Sequence, residues 1–138
     1  NSISSSVVDN LVSRNLEQNV FSLVEHFANR RLNEAVDVLG DLMKQNESPV
    51  KLLALLIRQI RIMLQVKLYS KQDMKQGDIA KMLKLHPFVV KSASLQASQF
   101  ELEHLARLLD LLVDADFQMK RGADQKLLLE TVMHKAIS

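Results

Sequence analysis

No cysteine occurs in the 138 residues of this chain. That removes disulfides, thiolate nucleophiles and thiolate metal sites, and it fits a reducing compartment. Tryptophan is absent too, and the aromatic residues are five Phe and one Tyr. The three glycines, Gly40, Gly77 and Gly122, stand too far apart for a phosphate-cradling loop, which needs closely spaced glycines to let backbone approach the ligand. Nothing resembles a bilayer-spanning run of about 20 uncharged residues. The most apolar stretch, Val50 to Leu68, is interrupted by Lys51, Arg58, Gln59, Arg61, Gln65 and Lys67. A soluble, cytoplasmic protein with no membrane segment is therefore expected. The opening Asn-Ser-Ile-Ser-Ser-Ser has neither an initiator Met nor the basic-then-apolar pattern of a signal peptide, and reads as the start of a fragment of a longer protein.

What the chain does contain is helix-forming. Hydrophobic residues make up 47% of it, with Leu dominant and Met frequent. Leu, Met, Lys, Gln and Glu lose little rotamer freedom in a helix, and β-branched residues do not alternate as strands require. The length is that of one domain, able to bury roughly two-thirds of its unfolded surface. The expectation is a single all-α bundle of about seven or eight helices.

Periodicity and punctuation place those helices. A first segment, Ser4 to Arg14, has Ser4, Ser5 or Ser6 as candidate caps. A second, Val20 to Ala28, carries Val20, Phe21, Leu23, Val24 and Phe27 and ends at Asn29-Arg30-Arg31. A third runs to Lys44, with Asn33 as its candidate cap. Ser48 followed by Pro49 is a cap plus a preset first-turn residue. The helix it opens, Pro49 to about Tyr69, is apolar over most of its circumference and belongs at the centre, with Lys51, Arg58, Arg61 and Gln65 as its polar stripe. Asp78 to Lys84 and Pro87 to Ala97 form a short helical pair across Leu85-His86-Pro87. Ser98 and Glu101 have the spacing of a capping box for the next helix, whose stripe is Leu102, Leu105, Leu108, Leu109, Leu112, Ala115 and Met119. That helix stops at Lys120-Arg121-Gly122, where glycine suits a left-handed terminus. A last helix, Gln125 to Ala136, would pack Leu127, Leu128, Val132, Met133 and Ile137.

Reactive constellations are missing. His26, His86, His104 and His134 include no pair three or four residues apart, the spacing that puts two metal ligands on one helix face. Asp110 and Asp114 lie opposite the Leu stripe as surface charges, while Asp116 can pair with Lys120 four residues on. The residues therefore point to no catalytic, cofactor-binding or metal site. Charge is unevenly spread: residues 1–48 hold four basic and seven acidic residues, 49–100 nine and two, and 101–138 five and seven, for nets of −3, +7 and −2. The basic middle keeps one alternative open, a helix-turn-helix DNA-binding module over residues 78–97 using Lys81, Lys84 and Lys91. Against it, the second helix offers Lys91, Ser92, Ser94 and Gln96 but no Arg or Asn to read base edges.

Taken in order, the segments resemble one family. They are NVFSLVE from Asn19, LLIRQIRIMLQ from Leu55, DIAKMLKLHPFVVKSASLQASQF from Asp78, and LLVDADFQMKRG from Leu111. This series is similar to the C-terminal collar domain of the delta subunit of the bacterial DNA polymerase III clamp loader. Arg58 and Arg61 fall on its central-helix arginines, and Asp116, Lys120 and Gly122 on its Asp-x-x-x-Lys-x-Gly ending. The resemblance implies a collar domain over residues 19–138, preceded at 1–18 by the tail of a lid domain or a linker helix. It implies a non-catalytic assembly role in DNA replication, within a subunit of the DNA polymerase III holoenzyme, a DNA-directed DNA polymerase. Partners would be clamp-loader subunits of the gamma/tau and delta-prime types, with the sliding clamp met only through an N-terminal domain absent from this chain. DNA would be present in the assembled complex. Arg58 and Arg61 are the candidate interface residues.

Overall fold

The computed structural model describes the backbone of residues 2–137 and the side chains of residues 15–137; among these described residues it holds seven α-helices and no strand. They are α1 (Ser2–Ala28), α2 (Leu32–Lys44), α3 (Pro49–Lys71), α4 (Gln76–Leu83), α5 (Pro87–Ala97), α6 (Leu102–Lys120) and α7 (Gln125–Ile137). The two N-terminal helices expected from the pattern are one. No Gly or Pro separates Arg14 from Val20, and Leu16, fully buried, extends the stripe of Val20, Leu23, Val24 and Phe27 backwards by one turn. The caps expected at Ser4, Ser5 or Ser6 lie outside the described side chains.

Helix α3 is the axis of the bundle. It packs against α1, α4, α5, α6 and α7, and its Leu52, Leu53, Leu56, Ile60, Met63 and Val66 are wholly excluded from solvent. Burying each such side chain contributes about 1.5–3 kcal/mol. Helix α6 lays Leu105, Leu108, Leu112, Ala115 and Met119 on the bundle, as its spacing predicts. Helix α5 is unusual: its buried apolar residues are the small ones, Val90, Ala93 and Ala97, whereas Phe88 and Leu95 face outward. In α7 the buried stripe is Leu129, Val132, Met133 and Ala136, so the expected Leu127 is instead 62% exposed.

Caps follow the sequence in some places and not in others. Ser48 Oγ accepts from the Lys51 N–H at 3.2 Å and Pro49 opens α3, as expected. Asn33 does not cap α2. Arg31 instead joins the two helices, its N–H donating to the His26 carbonyl at 2.9 Å and its carbonyl accepting from the Ala35 N–H at 3.0 Å. The capping box is also absent: Ser98 donates its hydroxyl to Leu95 O at 2.6 Å, closing α5, and Glu101 makes no side-chain cap bond. Two caps went unread. His86 Nδ1 accepts from the Phe88 N–H at 3.0 Å, and Asp124 Oδ1 accepts from the Leu127 N–H at 2.9 Å.

At its C-terminal end α6 has the expected left-handed glycine, Gly122 at φ +94°. Gly122 N–H donates to Met119 O and Ala123 N–H to Gln118 O, each at 3.2 Å, the paired bonds of a Schellman terminus. An added Cβ at Gly122 would meet no atom within 4 Å, so the cost of Gly122→Ala is backbone strain alone, about 1 kcal/mol. Gly40 lies exposed in the middle of α2 with equally open surroundings, so Gly40→Ala should stabilise by about 1 kcal/mol. Urea unfolding of the two variants is expected to show opposite signs for the same substitution.

Candidate interaction site

Between α1, α3 and α5 runs an open groove of about 420 Å³. Its apolar walls are Phe21 from α1, Leu55 and Ile62 from α3, and Phe88 and Val89 from α5. Phe88 is 71% exposed, and Leu95, seven residues on along the same face of α5, is 66% exposed. Side chains this large are normally the first to be buried, and contiguous apolar exposure marks a contact surface. Arg58 and Glu17 line the groove with them, yet the two form no ion pair.

A polar network fixes the three helices that make the groove. Gln96 is 1% exposed, the one buried polar side chain among those described. Its Oε1 accepts from Gln59 Nε2 at 2.8 Å, and its Nε2 donates to Phe21 O and to Glu25 Oε1, each at 3.1 Å. Glu25 also accepts from Gln99 Nε2 at 3.1 Å, and Gln99 Oε1 accepts from Asn29 Nδ2 at 3.2 Å. The chain of bonds joins α1, α3 and α5 and continues into the loops after α1 and α5. Lys67 adds a further tie, donating from Nζ to Ala97 O at 3.2 Å.

The residues singled out by sequence divide into two groups. Arg58 and Arg61 are exposed on α3 without a partner among the described residues; Arg58 lines the groove and Arg61 does not. Asp116, Lys120 and Gly122 come together at the end of α6. Asp116 Oδ2 and Lys120 Nζ pair at 2.9 Å, with Lys120 exposed and Asp116 half-buried; an i,i+4 pair of this kind contributes about 0.3–0.5 kcal/mol. Phe21, Phe88, Leu95 and the glutamines were missed. The available signal was the spacing of seven between Phe88 and Leu95, opposite the small residues Val90, Ala93 and Ala97.

The α4–α5 pair has the outline of a helix-turn-helix but not its working surface. Gln96 is buried in the network, Ser92 and Ser94 are half-buried, and the exposed face of α5 is Phe88, Lys91 and Leu95. A helix that presents one cation between two large apolar side chains lacks the several donors that base edges call for, so the DNA-reading alternative gains no support.

His26, near the end of α1, has a displaced pKa. Burial pushes its imidazole below the ordinary value of 6.5, and the Arg31 cation adds to this, with Glu34 and Glu25 opposing. Its Nδ1 is buried with no hydrogen-bond partner. Below pH 6.5 the unfolded chain takes up a proton that the folded chain resists. Stability from this site is therefore complete above that pH and falls as pH drops toward the folded value. Unfolding measured stepwise from about pH 7.5 to about pH 5 should show His26→Leu gaining on the unaltered chain as pH falls.

No group of three or more His, Cys, Asp or Glu among the described residues is placed to hold a metal ion, and no described helix is long and apolar enough to cross a membrane. The fold is the all-α domain of clamp loaders: the structure matches the Bacillus subtilis DNA clamp loader delta protein with a TM-score of 0.86 and 42% identity, over 94% of this chain and 39% of that one. The chain belongs to the family described as DNA polymerase III delta subunit, C-terminal domain, whose model matches residues 17–136. It is 45% identical over 121 residues to the DNA polymerase III subunit delta of Bacillus subtilis (strain 168), covering 87% of this chain and 35% of the relative. It thus spans about a third of that curated relative.

Proposed function

We propose that this chain is the assembly domain of a clamp-loader delta subunit, one member of the collar that holds the loader ring together while a sliding clamp is placed on primed DNA. The observation that carries this reading is that family membership coincides with a large apolar surface left outside a complete core, at Phe88 and Leu95. A second exposed patch, Val113 and Phe117 on α6 with Arg121 stacked over Phe117 at 5.2 Å, differs in composition from the first. A ring member meets two different neighbours through unlike faces, whereas a symmetric dimer needs one self-complementary face. The partners are the gamma/tau-type and delta-prime-type subunits. The collar domain covers residues 19–138, and residues 1–18 before it are the tail of the preceding lid domain or a linker helix. The domain is non-catalytic, its parent belongs to the cytoplasmic DNA polymerase III holoenzyme, and clamp opening resides outside it.

Light scattering after size exclusion tests the reading. Alone, the chain is expected to be a monomer or weakly associated. Mixed with the C-terminal domains of the other loader subunits, it should enter a larger complex, with each interface burying on the order of 800 Å² per partner. A tight homodimer indifferent to the other subunits would end the collar reading. Arg58→Glu combined with Arg61→Glu should weaken assembly; if assembly is unchanged, those arginines are ordinary surface charges.

A further inference from the structure

Resting on the assembly reading, we infer that the groove between α1, α3 and α5 receives an amphipathic helix of a neighbouring loader subunit, one that carries a carboxylate beside its apolar anchors. Three observations support that occupant. The groove is walled by Phe21, Leu55, Ile62 and Phe88, and Leu95 prolongs the apolar strip along α5. A helix laid in such a groove inserts side chains from successive turns, which is how helix-in-groove recognition works. The groove's one cation, Arg58, is unpaired, and the exposed Arg61, three residues further along α3, and Lys91, between Phe88 and Leu95 on α5, also lack an ionic partner among the described residues. Arg58 is flanked by apolar side chains that a docked helix would seal from water, and a guanidinium in that setting calls for a carboxylate held bidentately. Finally, the walls are pre-set. The Gln96 network and the tie from Lys67 to Ala97 hold α5 against α1 and α3 before any partner arrives, so little ordering is left for the binding step.

The one acidic residue lining the groove, Glu17, stands on the α1 wall, the one cation, Arg58, stands on the α3 wall, and the α5 wall of Phe88, Val89 and Ser92 carries no charge. The docked helix is therefore expected with its carboxylate toward α3. Exposed aromatic anchors dominate interface energetics, so Phe88→Asp should weaken binding at least about 30-fold and Arg58→Glu about tenfold. Both side chains are exposed, so the melting temperatures of the variants should match the unaltered chain.

The experiment uses this chain with the gamma/tau-type and delta-prime-type subunits, each added separately and then together. Binding is read by size exclusion and calorimetry, and a benzophenone amino acid replacing Phe88 is cross-linked in the mixture and mapped by mass spectrometry. The expected result is weakened binding of both variants to one of the two subunit types, with the cross-link in a helical, Asp- or Glu-bearing segment of that subunit. Complexes that form with both variants at unchanged affinity overturn the docking assignment and leave the collar reading standing. A cross-link to a second copy of this chain overturns it as well, since the face is then a self-interface. If the unaltered chain enters no complex at all, the assembly reading fails and this inference falls with it.

Discussion

Replacing Leu56 with alanine is expected to lower the unfolding free energy by about 3–4 kcal/mol, the upper part of the range for a large apolar side chain lost from a core. Leu56 is 0% exposed and lies two turns into α3, the helix against which five others pack. Neighbours on several helices would have to move together to fill the void, and close-packed interiors relax only partly. Leu68→Ala on the same helix is the control. That side chain is 40% exposed, so its truncation removes much less buried area and should cost less than about 1 kcal/mol. Chemical denaturation of the pair measures both. Similar losses at the two positions would mean that α3 is not the axis of the bundle.

A second large effect is expected at Gln96, for a different reason. Gln96→Leu keeps the volume but removes three hydrogen bonds, leaving the Gln59 amide and one oxygen of Glu25 without their buried partner. Net hydrogen bonds are worth about 1 kcal/mol each, and a partner left unsatisfied adds its own desolvation penalty, so a loss of about 2–3 kcal/mol is expected. The Phe21 carbonyl contributes least, because it is part of the α1 backbone ladder in addition to accepting from Gln96. Truncating Gln59 as well should recover part of the loss, because the donor stranded by the first substitution is then gone. A double-mutant cycle on Gln59 and Gln96 measures this coupling. Strict additivity would mean that the two amides act independently, contrary to their 2.8 Å contact.

The helices were legible where periodicity and punctuation agreed. Pro49 after Ser48, the Leu stripe of α6 and Gly122 each left one physical option, and the structure adopts it. Legibility failed where a single-residue signal competed with tertiary packing. The stretch between Arg14 and Val20 was left between two helices because it holds the single large apolar residue Leu16, whose burial against the bundle makes α1 continuous. Ser98 and Glu101 had the right spacing for a capping box, but Ser98 is taken up by the end of α5. Arg58 was singled out by its place in the polar stripe of α3 and by the resemblance. The rest of the groove was not, since its walls come from three helices far apart in sequence and its largest members, Phe21 and Phe88, look like ordinary core residues until their neighbours are known. The Gln59–Gln96–Glu25 network is invisible for the same reason: glutamine carries no local signal of burial.

The small residues at the α3–α5 seam give the groove a dimension set from behind. Phe88 and Leu95 ride on the outer side of a helix whose inner side is Val90, Ala93 and Ala97, with the two alanines 1% and 2% exposed. How far α5 stands from α3, and hence how wide the mouth of the groove opens, is decided by side-chain volume at those two positions. Where added volume overpacks such a seam, the strain resolves by displacing the helix. The seam therefore acts as a spacer, through which a change hidden from every partner can retune the fit of a surface it never touches.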